Sequence, residues 1–286
     1  MRGLPGTMRV FRPETAAEAV ATLSQHPQAI PLAGGTDLMV LWNMGNLNER
    51  SILDVSGISE WRSIQKTAAG LSVGALVTHA HIQDDPVLCR EFPLLARAAA
   101  VVGATQIQNR GTLGGNIANA SPAADTFPAL AVYEATIKTA SPAGARSIPF
   151  SEFFAGVKKT TLRPGELIAA VELPFLAQQP ARQVFRKVGT RAAMAISKTV
   201  AAGLLWLNED GTVRELRFAL GSMAPTVRRL RAAEGHIRGK VPTAEVAAAA
   251  GELIKDDTAP IDDIRSTAEY RLHVSQNLLR AFLLNS

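Results

Sequence analysis

Apolar positions alternate along some stretches of the chain and recur at helical spacing along others, throughout its 286 residues. Short apolar runs bounded by turn residues are typical of strands. They predict strands at residues 9–12, 29–32, 50–55, 62–66, 71–75, 129–139, 146–149, 167–173, 184–188, 198–207 and 215–220. In the last of these, Leu216, Phe218 and Leu220 alternate with charged residues. One face of that strand should therefore be buried.

Helical spacing of apolar residues predicts helices between these strands. The predicted helices cover residues 16–23, 78–102, 243–254 and 264–284, with another starting at Leu38 and a short helix or turn at 150–157. The first helix is preceded by a capping box formed by Thr15 and Glu18. The last begins near Asp262–Asp263, whose negative charges suit a helix N-terminus.

Two breaks in these patterns predict how the chain is divided. One lies near residue 56, and the other is a polar connector at residues 176–181. The expected domains are residues 1–56, residues 57–175 and a C-terminal part at residues 176–286. The last part combines a β-hairpin with terminal helices, so the whole is expected to be an α+β protein.

Composition narrows the functional classes. Hydrophobic residues make up 47% and charged residues 19%, which is typical of a globular protein with a sizeable core. No apolar run approaches the roughly 20 residues that span a bilayer, and no signal peptide is evident, so a cytoplasmic location is expected. The net charge of +5 is thinly spread and aromatic residues are only 5%, which gives nucleic-acid binding little support.

The few potential metal ligands favour structural roles. Cys89 is the one cysteine, so this chain alone cannot form a disulfide, a cysteine zinc site or an iron–sulfur cluster. Its apolar neighbours predict a buried structural thiol. His79 and His81 are two residues apart and would point to different faces of a helix. A surface or capping role is expected for them rather than metal binding.

Two glycine pairs give the clearest functional signal. Pro31–Leu38 reads as strand, glycine turn and helix start, an order that points backbone N–H groups at an anion. Gly111–Asn116 repeats the glycine pair about 80 residues later. Thr36 and Thr112 can add hydroxyl donors, and Asp125 can accept hydrogen bonds from a ribose or an amino group. A pyrophosphate held between the two turns would use the backbone and hydroxyl donors, while Asp125 would serve another part of the same ligand.

Other nucleotide and hydrolase motifs are missing. The sequence has no G-x-S-x-G elbow, no G-x-x-x-x-G-K-[ST] loop and no G-x-G-x-x-G fingerprint. The residues therefore indicate a dinucleotide without fixing which one. For the small, polar run at residues 116–125, a tightly turned structural connector remains an alternative.

Longer motifs resemble a known family. Ala33–Asp37 and the 18-residue run Gln108–Asp125 look like the two FAD loops of the medium subunit of molybdenum hydroxylases, the xanthine dehydrogenase and carbon monoxide dehydrogenase group. Gly165–Pro174 and Phe185–Lys198 also match, and the resemblance runs through the whole chain in order. It implies a two-subdomain FAD-binding fold of the vanillyl-alcohol-oxidase (PCMH) type, plus a C-terminal α+β domain of the CO dehydrogenase flavoprotein type.

The resemblance also implies which residues bind FAD. Asp125 would bond a sugar or amino group, while Ile168 and Lys187 match positions near the flavin or the adenosine arm. The implied cofactor-binding residues are Leu32, Ala33, Gly34, Gly35, Thr36, Asp37, Leu38, Thr112, Gly114, Gly115, Asn116, Asp125, Ile168 and Lys187.

The implied activity is electron transfer within a heterotrimer or its dimer. A large molybdopterin-binding subunit would hydroxylate the substrate, and two [2Fe–2S] clusters on a small subunit would pass electrons to FAD and then to an acceptor such as NAD⁺. The single cysteine disfavours the hydroxybenzoyl-CoA reductase branch. The segment Arg191–Lys198 looks most like purine-hydroxylating members, so a purine or another N-heterocycle is the expected substrate. No catalytic acid or base and no metal ligand is expected here.

Three alternatives remain beside this expectation. A carbon monoxide dehydrogenase-type flavoprotein subunit differs only in the complex it serves. A stand-alone flavin oxidase would need its own substrate pocket, for which the C-terminal part is small. A scaffold subunit without cofactor is disfavoured by the intact glycine pairs.

Overall fold

A computed structural model describes residue 6 and residues 8–285 of the chain. Within these residues three main sheets follow one another along the sequence, each with its own helices, and two further strands form a separate hairpin. This is the mixed α+β architecture that the sequence predicts. In the described ranges no helix combines the length and apolarity needed to cross a bilayer.

The first sheet is parallel and small. Its strands, in the spatial order β1-β3-β2, are β1 (Arg9–Phe11), β2 (Ile30–Leu32) and β3 (Ser51–Asp54). Helix α1 (Ala16–Gln25) connects β1 to β2, and the Thr15 side chain accepts a hydrogen bond from the Glu18 amide, as the capping box predicts. Helix α2 (Leu38–Asn43) follows β2. The glycine pair between β2 and α2 therefore lies at the carboxyl end of a strand.

The second sheet is antiparallel and has the order β4-β5-β10-β6-β7. Its strands are β4 (Ile64–Lys66), β5 (Gly70–Gly74), β6 (Thr136–Ala140), β7 (Ser147–Pro149) and β10 (Leu167–Pro174). Strands β8 (Phe154–Gly156) and β9 (Lys159–Thr160) form a separate small hairpin. Strand β10 is central and ends at its proline, as predicted.

Helices fill the connection between β5 and β6. They are α3 (His79–Asp84), α4 (Pro86–Glu91), α5 (Pro93–Ala99), α6 (Thr105–Gln108), α7 (Leu113–Ala118) and α8 (Phe127–Val132). The single helix predicted at residues 78–102 was wrong, because Asp85 and Phe92 interrupt it and a proline begins each following helix. The strand predicted at residues 129–139 was wrong in its first part, which belongs to α8. That helix is apolar on nearly all sides, so its sequence shows no helical period.

Cys89 is exposed on α4, so the expected buried thiol was wrong. The neighbouring Leu88 is the α4 residue that enters the core. The Cys89 thiol instead donates a hydrogen bond to the Gln83 carbonyl at 3.0 Å. Partial desolvation of the thiol and the nearby carboxylates of Asp85 and Asp84 raise the pKa of Cys89, which makes the reactive thiolate less available.

The third sheet is antiparallel and packs on α8. Its strands are β11 (Arg182–Val188), β12 (Thr199–Leu207), β13 (Val213–Gly221) and β14 (Arg228–Arg229). The helices that follow are α9 (Arg231–Ile237), α10 (Ala244–Glu252), α11 (Ile254–Asp257) and α12 (Ala268–Leu284). Side chains of β12 and β13 join the same buried cluster as α8 and the second sheet, which brings β11 beside the connection that carries the second glycine pair.

Helix α12 begins at Ala268 rather than at Ile264. Thr267 caps its first turn by accepting a hydrogen bond from the Tyr270 amide. The Asp262 carboxylate accepts a hydrogen bond from the Ala268 amide, so it serves the helix N-terminus as predicted, together with Thr267. Asp263 lies in the preceding loop and forms ion pairs with Arg265 of that loop and with Arg271 of α12.

Candidate functional site

A cleft of about 730 Å³ opens between the first and second sheets. Three stretches line most of it: the first glycine loop (residues 33–38), the second glycine loop (residues 111–119) and the third wall (residues 162–168). His79 and Lys158 add side chains to the lining. Drug-sized and cofactor-sized ligands usually occupy sites of roughly 300–1,000 Å³. The cleft therefore has the size of a large-cofactor site.

The first glycine loop offers free hydrogen-bond donors to the cleft. In the described part of the chain, none of the amide N–H groups from Gly34 to Asp37 donates to another protein group. Gly35 has a φ angle of 76°, a conformation that glycine adopts without strain. Successive free amides in such a turn form a concave site for an anion.

The second glycine loop is arranged differently from the prediction. Its glycine pair, Gly114–Gly115, lies inside the short helix α7, and the amides of this stretch already have acceptors. Leu113 donates to the Val77 carbonyl and Gly114 to the Ala75 carbonyl, both at 2.9 Å, while Gly115 donates to the Thr112 hydroxyl at 3.1 Å. This loop therefore presents mainly side chains to a ligand.

Two of the glycines allow the loops to pack closely against protein backbone. A Cβ on Gly34 would lie 1.8 Å from the Arg110 carbonyl oxygen, and a Cβ on Gly114 would lie 2.6 Å from the Ala75 Cβ. Real Cβ atoms do not approach other atoms so closely. Both positions thus require glycine because another protein segment packs against them. The sequence had suggested a different reason, namely that the backbone approaches a ligand there.

A chain of polar side chains spans the cleft. The Asn119 amide donates to Asp37 Oδ1 at 3.2 Å, and Lys158 Nζ donates to Asn119 Oδ1 at 2.6 Å. We refer to Asp37, Asn119 and Lys158 as the clasp. It joins the first glycine loop to the second and to the β8–β9 hairpin. Of its members, Asp37 alone was named as a cofactor-binding residue. Asn119 lies within the run Gln108–Asp125 that resembles the second FAD loop, and Lys158 lies outside both motifs.

The third wall is fixed by a buried carboxylate. Glu166 accepts hydrogen bonds from Arg146 Nε and Nη2, both at 2.7 Å, from the Thr139 hydroxyl at 2.6 Å and from the Arg163 amide at 2.8 Å. These donors, Arg146 above all, lower the pKa of Glu166 to about 2. The ionised carboxylate thus holds the wall that carries Ile168 into the cleft lining.

His79 is buried beside the cleft, so the expected surface role was wrong. Its backbone amide donates to the Gly111 carbonyl at 3.0 Å, and Nδ1 of its ring has no hydrogen-bond partner. Burial lowers the pKa of His79 to about 4, so the imidazole is neutral at physiological pH. The sequence could not distinguish it from the exposed His81, because no pattern marked which of the two entered the core.

Three of the predicted cofactor residues lie outside the cleft lining, namely Leu32, Asp125 and Lys187. Asp125 is buried, and its Oδ2 accepts a hydrogen bond from Lys187 Nζ at 2.7 Å. The same ammonium donates to the Val101 carbonyl at 2.9 Å. Burial raises the pKa of Asp125 to about 6, although Lys187 opposes the rise. The pair connects β11 to the segment after the second glycine loop.

The other predicted residues do come together. The cleft lining includes Ala33, Gly34, Gly35, Thr36, Asp37, Leu38, Thr112, Gly114, Gly115, Asn116 and Ile168. Apolar side chains such as Trp61, Leu41 and Val55 complete the walls. Free amides suit phosphates, apolar walls suit aromatic rings, and amide side chains suit ribose hydroxyls. The residues present therefore fit a dinucleotide such as FAD.

Among the residues that the structure describes, no cluster of side chains is suited to a metal ion.

Comparison with known proteins decides the family. Residues 6–176 match the FAD binding domain in molybdopterin dehydrogenase, and residues 184–286 match the CO dehydrogenase flavoprotein C-terminal domain. The chain belongs to this family. It is an FAD-binding oxidoreductase subunit of the molybdenum hydroxylase type, as the sequence motifs imply.

Individual relatives extend the match over the full chain. The xanthine dehydrogenase FAD-binding subunit of Escherichia coli O157:H7 is 32% identical over 94% of this chain and 92% of that protein. The carbon monoxide dehydrogenase medium chain of Hydrogenophaga pseudoflava is 29% identical over 98% and 97%. Quinoline 2-oxidoreductase from Pseudomonas putida 86 has a chain that superposes with a TM-score of 0.91, at 29% identity, covering 100% of this chain and 98% of that one.

Proposed function

We propose that this chain relays electrons within a molybdenum hydroxylase complex in the cytoplasm. It receives electrons from [2Fe–2S] clusters on a small subunit and delivers them to an acceptor such as NAD⁺. A large molybdopterin-binding subunit hydroxylates the substrate, and the three subunits form a heterotrimer or its dimer. The observation that carries the proposal is the family match through both halves of the chain. When bound, FAD supplies the redox chemistry.

The residues of this chain bind and orient the cofactor in this proposal. The free amides of Gly34–Asp37 take the pyrophosphate, while the side chains of Thr112 and Asn116 bind from the second glycine loop. Ile168 packs against a ring of the cofactor. Residues 1–56 and 57–175 supply the two sides of the site. Residues 176–286 support the second glycine loop through the ion pair between Lys187 and Asp125. No proton transfer by a side chain is needed.

A purine or another N-heterocycle is the proposed substrate of the large subunit. It is favoured by the xanthine dehydrogenase relative, at 32% identity. A carbon monoxide dehydrogenase-type complex is the second candidate. It is favoured by the C-terminal family and by the medium chain that is 29% identical.

Purification of the whole complex tests the proposal. The chain is tagged and expressed with its neighbouring genes, and flavin reduction is followed at about 450 nm. Xanthine is added anaerobically in one arm and carbon monoxide in the other, and NAD⁺ follows once reduction is complete. We expect xanthine to bleach the flavin in the complex, NAD⁺ to restore its colour, and neither substrate to affect the isolated chain.

Other results would change the assignment in defined ways. Bleaching by carbon monoxide alone would identify the second candidate. Bleaching of the isolated chain by an organic substrate would instead indicate a stand-alone oxidase. Flavin that stays reduced in NAD⁺ but is reoxidised by another acceptor would reject NAD⁺ while keeping the relay.

A further inference from the structure

His79 lies where the two glycine loops meet. It is the first residue of α3, and its backbone amide donates to the Gly111 carbonyl at 3.0 Å. A Cβ placed on Gly111 would be 3.3 Å from His79 Cδ2 and 3.4 Å from the Thr36 hydroxyl oxygen. The imidazole edge, the Thr36 hydroxyl and the Gly111 backbone therefore converge on one point of the cleft lining.

The His79 imidazole has no hydrogen-bond partner in the part of the chain that the structure describes. His79 is 1% exposed, and its Nδ1 is buried without a hydrogen bond. Across the described residues, its ring makes no hydrogen bond or ion pair with another group. A buried polar group without a partner is costly, and in native structures it commonly indicates an ion, a water or a ligand that supplies one.

The burial of Nδ1 determines the direction of the missing hydrogen bond. A buried N–H without an acceptor is rarer in proteins than an unused lone pair. The neutral imidazole should therefore carry its proton on Nε2. Since Nδ1 is sealed off and the residue still lines the cleft, the edge with Nε2 is the one available to a ligand. His79 thus presents an N–H donor.

We propose that His79 Nε2–H donates a hydrogen bond to the pyrophosphate of FAD where the two glycine loops meet. Gly34–Asp37, whose amides are free, line the same cleft as His79, and the Thr36 hydroxyl lies beside the imidazole edge. One anionic group placed there can accept hydrogen bonds from both. The second glycine loop has few free amides, and His79 replaces the donors that it lacks. This assignment rests on the cleft being the FAD site.

Substitutions that move the donor test the proposal on the full-length chain stripped of flavin. FAD affinity is measured by fluorescence titration. His79→Phe keeps the ring shape without a donor, and we expect its Kd for FAD to rise about 10- to 100-fold. In His79→Gln the side-chain amide reaches the Nε2 position, and in His79→Asn it reaches the Nδ1 position. Gln should restore most of the affinity and Asn should not.

Two controls make the result specific. His81→Phe changes an exposed histidine of the same helix and should leave the Kd unchanged. Riboflavin lacks the pyrophosphate, so its affinity should be the same with and without His79.

An unchanged Kd in His79→Phe, or equal affinities of the Gln and Asn variants, would overturn the proposal, and the second comparison serves even if the Phe variant does not fold. Loss of riboflavin binding in parallel with FAD would also overturn the assignment to the pyrophosphate. If Gly34→Ala and all His79 variants bind FAD like the natural chain, the cleft itself is not the FAD site.

Discussion

Gly34 is required because another backbone segment packs against it, although it was predicted to be a ligand-binding glycine. The sequence marks it as part of a glycine pair that binds an anion. In the structure its Cα lies against the Arg110 carbonyl, and a Cβ would lie 1.8 Å from that oxygen. A neighbouring backbone so far away in sequence cannot be inferred from local pattern. Hence the loop residues could be predicted, but the contact between the loops could not.

Gly34→Ala should therefore affect both stability and cofactor binding. Because the Arg110 backbone must move, we expect the free energy of unfolding to fall by about 1–3 kcal/mol and FAD to bind more weakly. Urea unfolding and FAD titration measure the two effects. Gly235→Ala is the matched control, since a Cβ at that position would have nothing within 4 Å and alanine favours the helix. Equal unfolding of Gly34→Ala and the natural chain would contradict the contact.

His79 and Cys89 mark the limit of residue-level prediction. The exposure of both was predicted from their immediate neighbours in sequence, and both predictions were wrong. His79 is buried and Cys89 is exposed. The helices around them are short and change direction at Asp85 and Phe92. After each break the helix starts again with a new orientation. The sequence spacing between residues on opposite sides of a break therefore does not predict which of them is buried.

At the scale of elements, strands were easier to predict than helices. Strands β2, β10, β12 and β13 have apolar runs or alternation and occur where the sequence indicates. Strands β10 and β13 end at Pro and Gly, and β2 and β12 are followed by turns that contain glycine. Helix α8 is buried on nearly all sides, which removes the period on which helix prediction depends. The breaks at Pro86 and Pro93 are visible in the sequence, since proline is favoured at the start of a helix.

The pairing of β11 with the segment after the second glycine loop depends on Lys187 and Asp125. Each side chain is 10% exposed, so removing one partner leaves an isolated buried charge. We expect Lys187→Met to lower the free energy of unfolding by about 3–5 kcal/mol, and Asp125→Leu combined with Lys187→Met to recover much of the loss. Lys138→Met breaks an exposed pair with Glu172 and should cost at most about 1 kcal/mol.

The cost of Lys187→Met should depend on pH. The pKa of Asp125 is raised to about 6 with Lys187 present, and losing the ammonium must raise it further. A raised carboxyl pKa gives stability that is present at low pH and is lost as pH rises through it. The destabilisation should therefore be smaller at about pH 5 than at about pH 8. Denaturant unfolding at both pH values measures this, and an equal loss would mean that Asp125 is not the group left unpaired.

On the scale of the whole molecule, the cleft joins parts that are far apart in sequence. Its lining runs from Leu23 to Ile168 and includes both glycine loops and the third wall. The motifs predicted which loops would meet and, through the family that they resemble, that the ligand is FAD; the family match bears out the cofactor. Ile168 of the third wall was implied by the resemblance, whereas the rest of that wall and the clasp depend on how β10 and the β8–β9 hairpin pack, which only the folded chain shows.

Binding of FAD should consequently stabilise the chain as a unit. A ligand that binds only the folded state at 100 times its Kd adds about 2.7 kcal/mol, so the unfolding temperature should rise with FAD concentration. Differential scanning fluorimetry with an extrinsic dye that does not overlap flavin emission measures this. Riboflavin at equal concentration should give a smaller shift because the free amides of Gly34–Asp37 have no phosphate to bind. Equal shifts would show that the ring system alone drives binding.

The contact between Gly34 and the Arg110 carbonyl also constrains how this protein can recombine with its relatives. A crossover between residues 38 and 110 would combine one parent's first loop with the other parent's second loop. A parent that carries any residue larger than glycine at position 34 brings a side chain that collides with the inherited backbone. Chimeras are therefore expected to tolerate exchange of both loops as one block far better than exchange of either alone, so the two loops form a single heritable unit despite their distance in the gene.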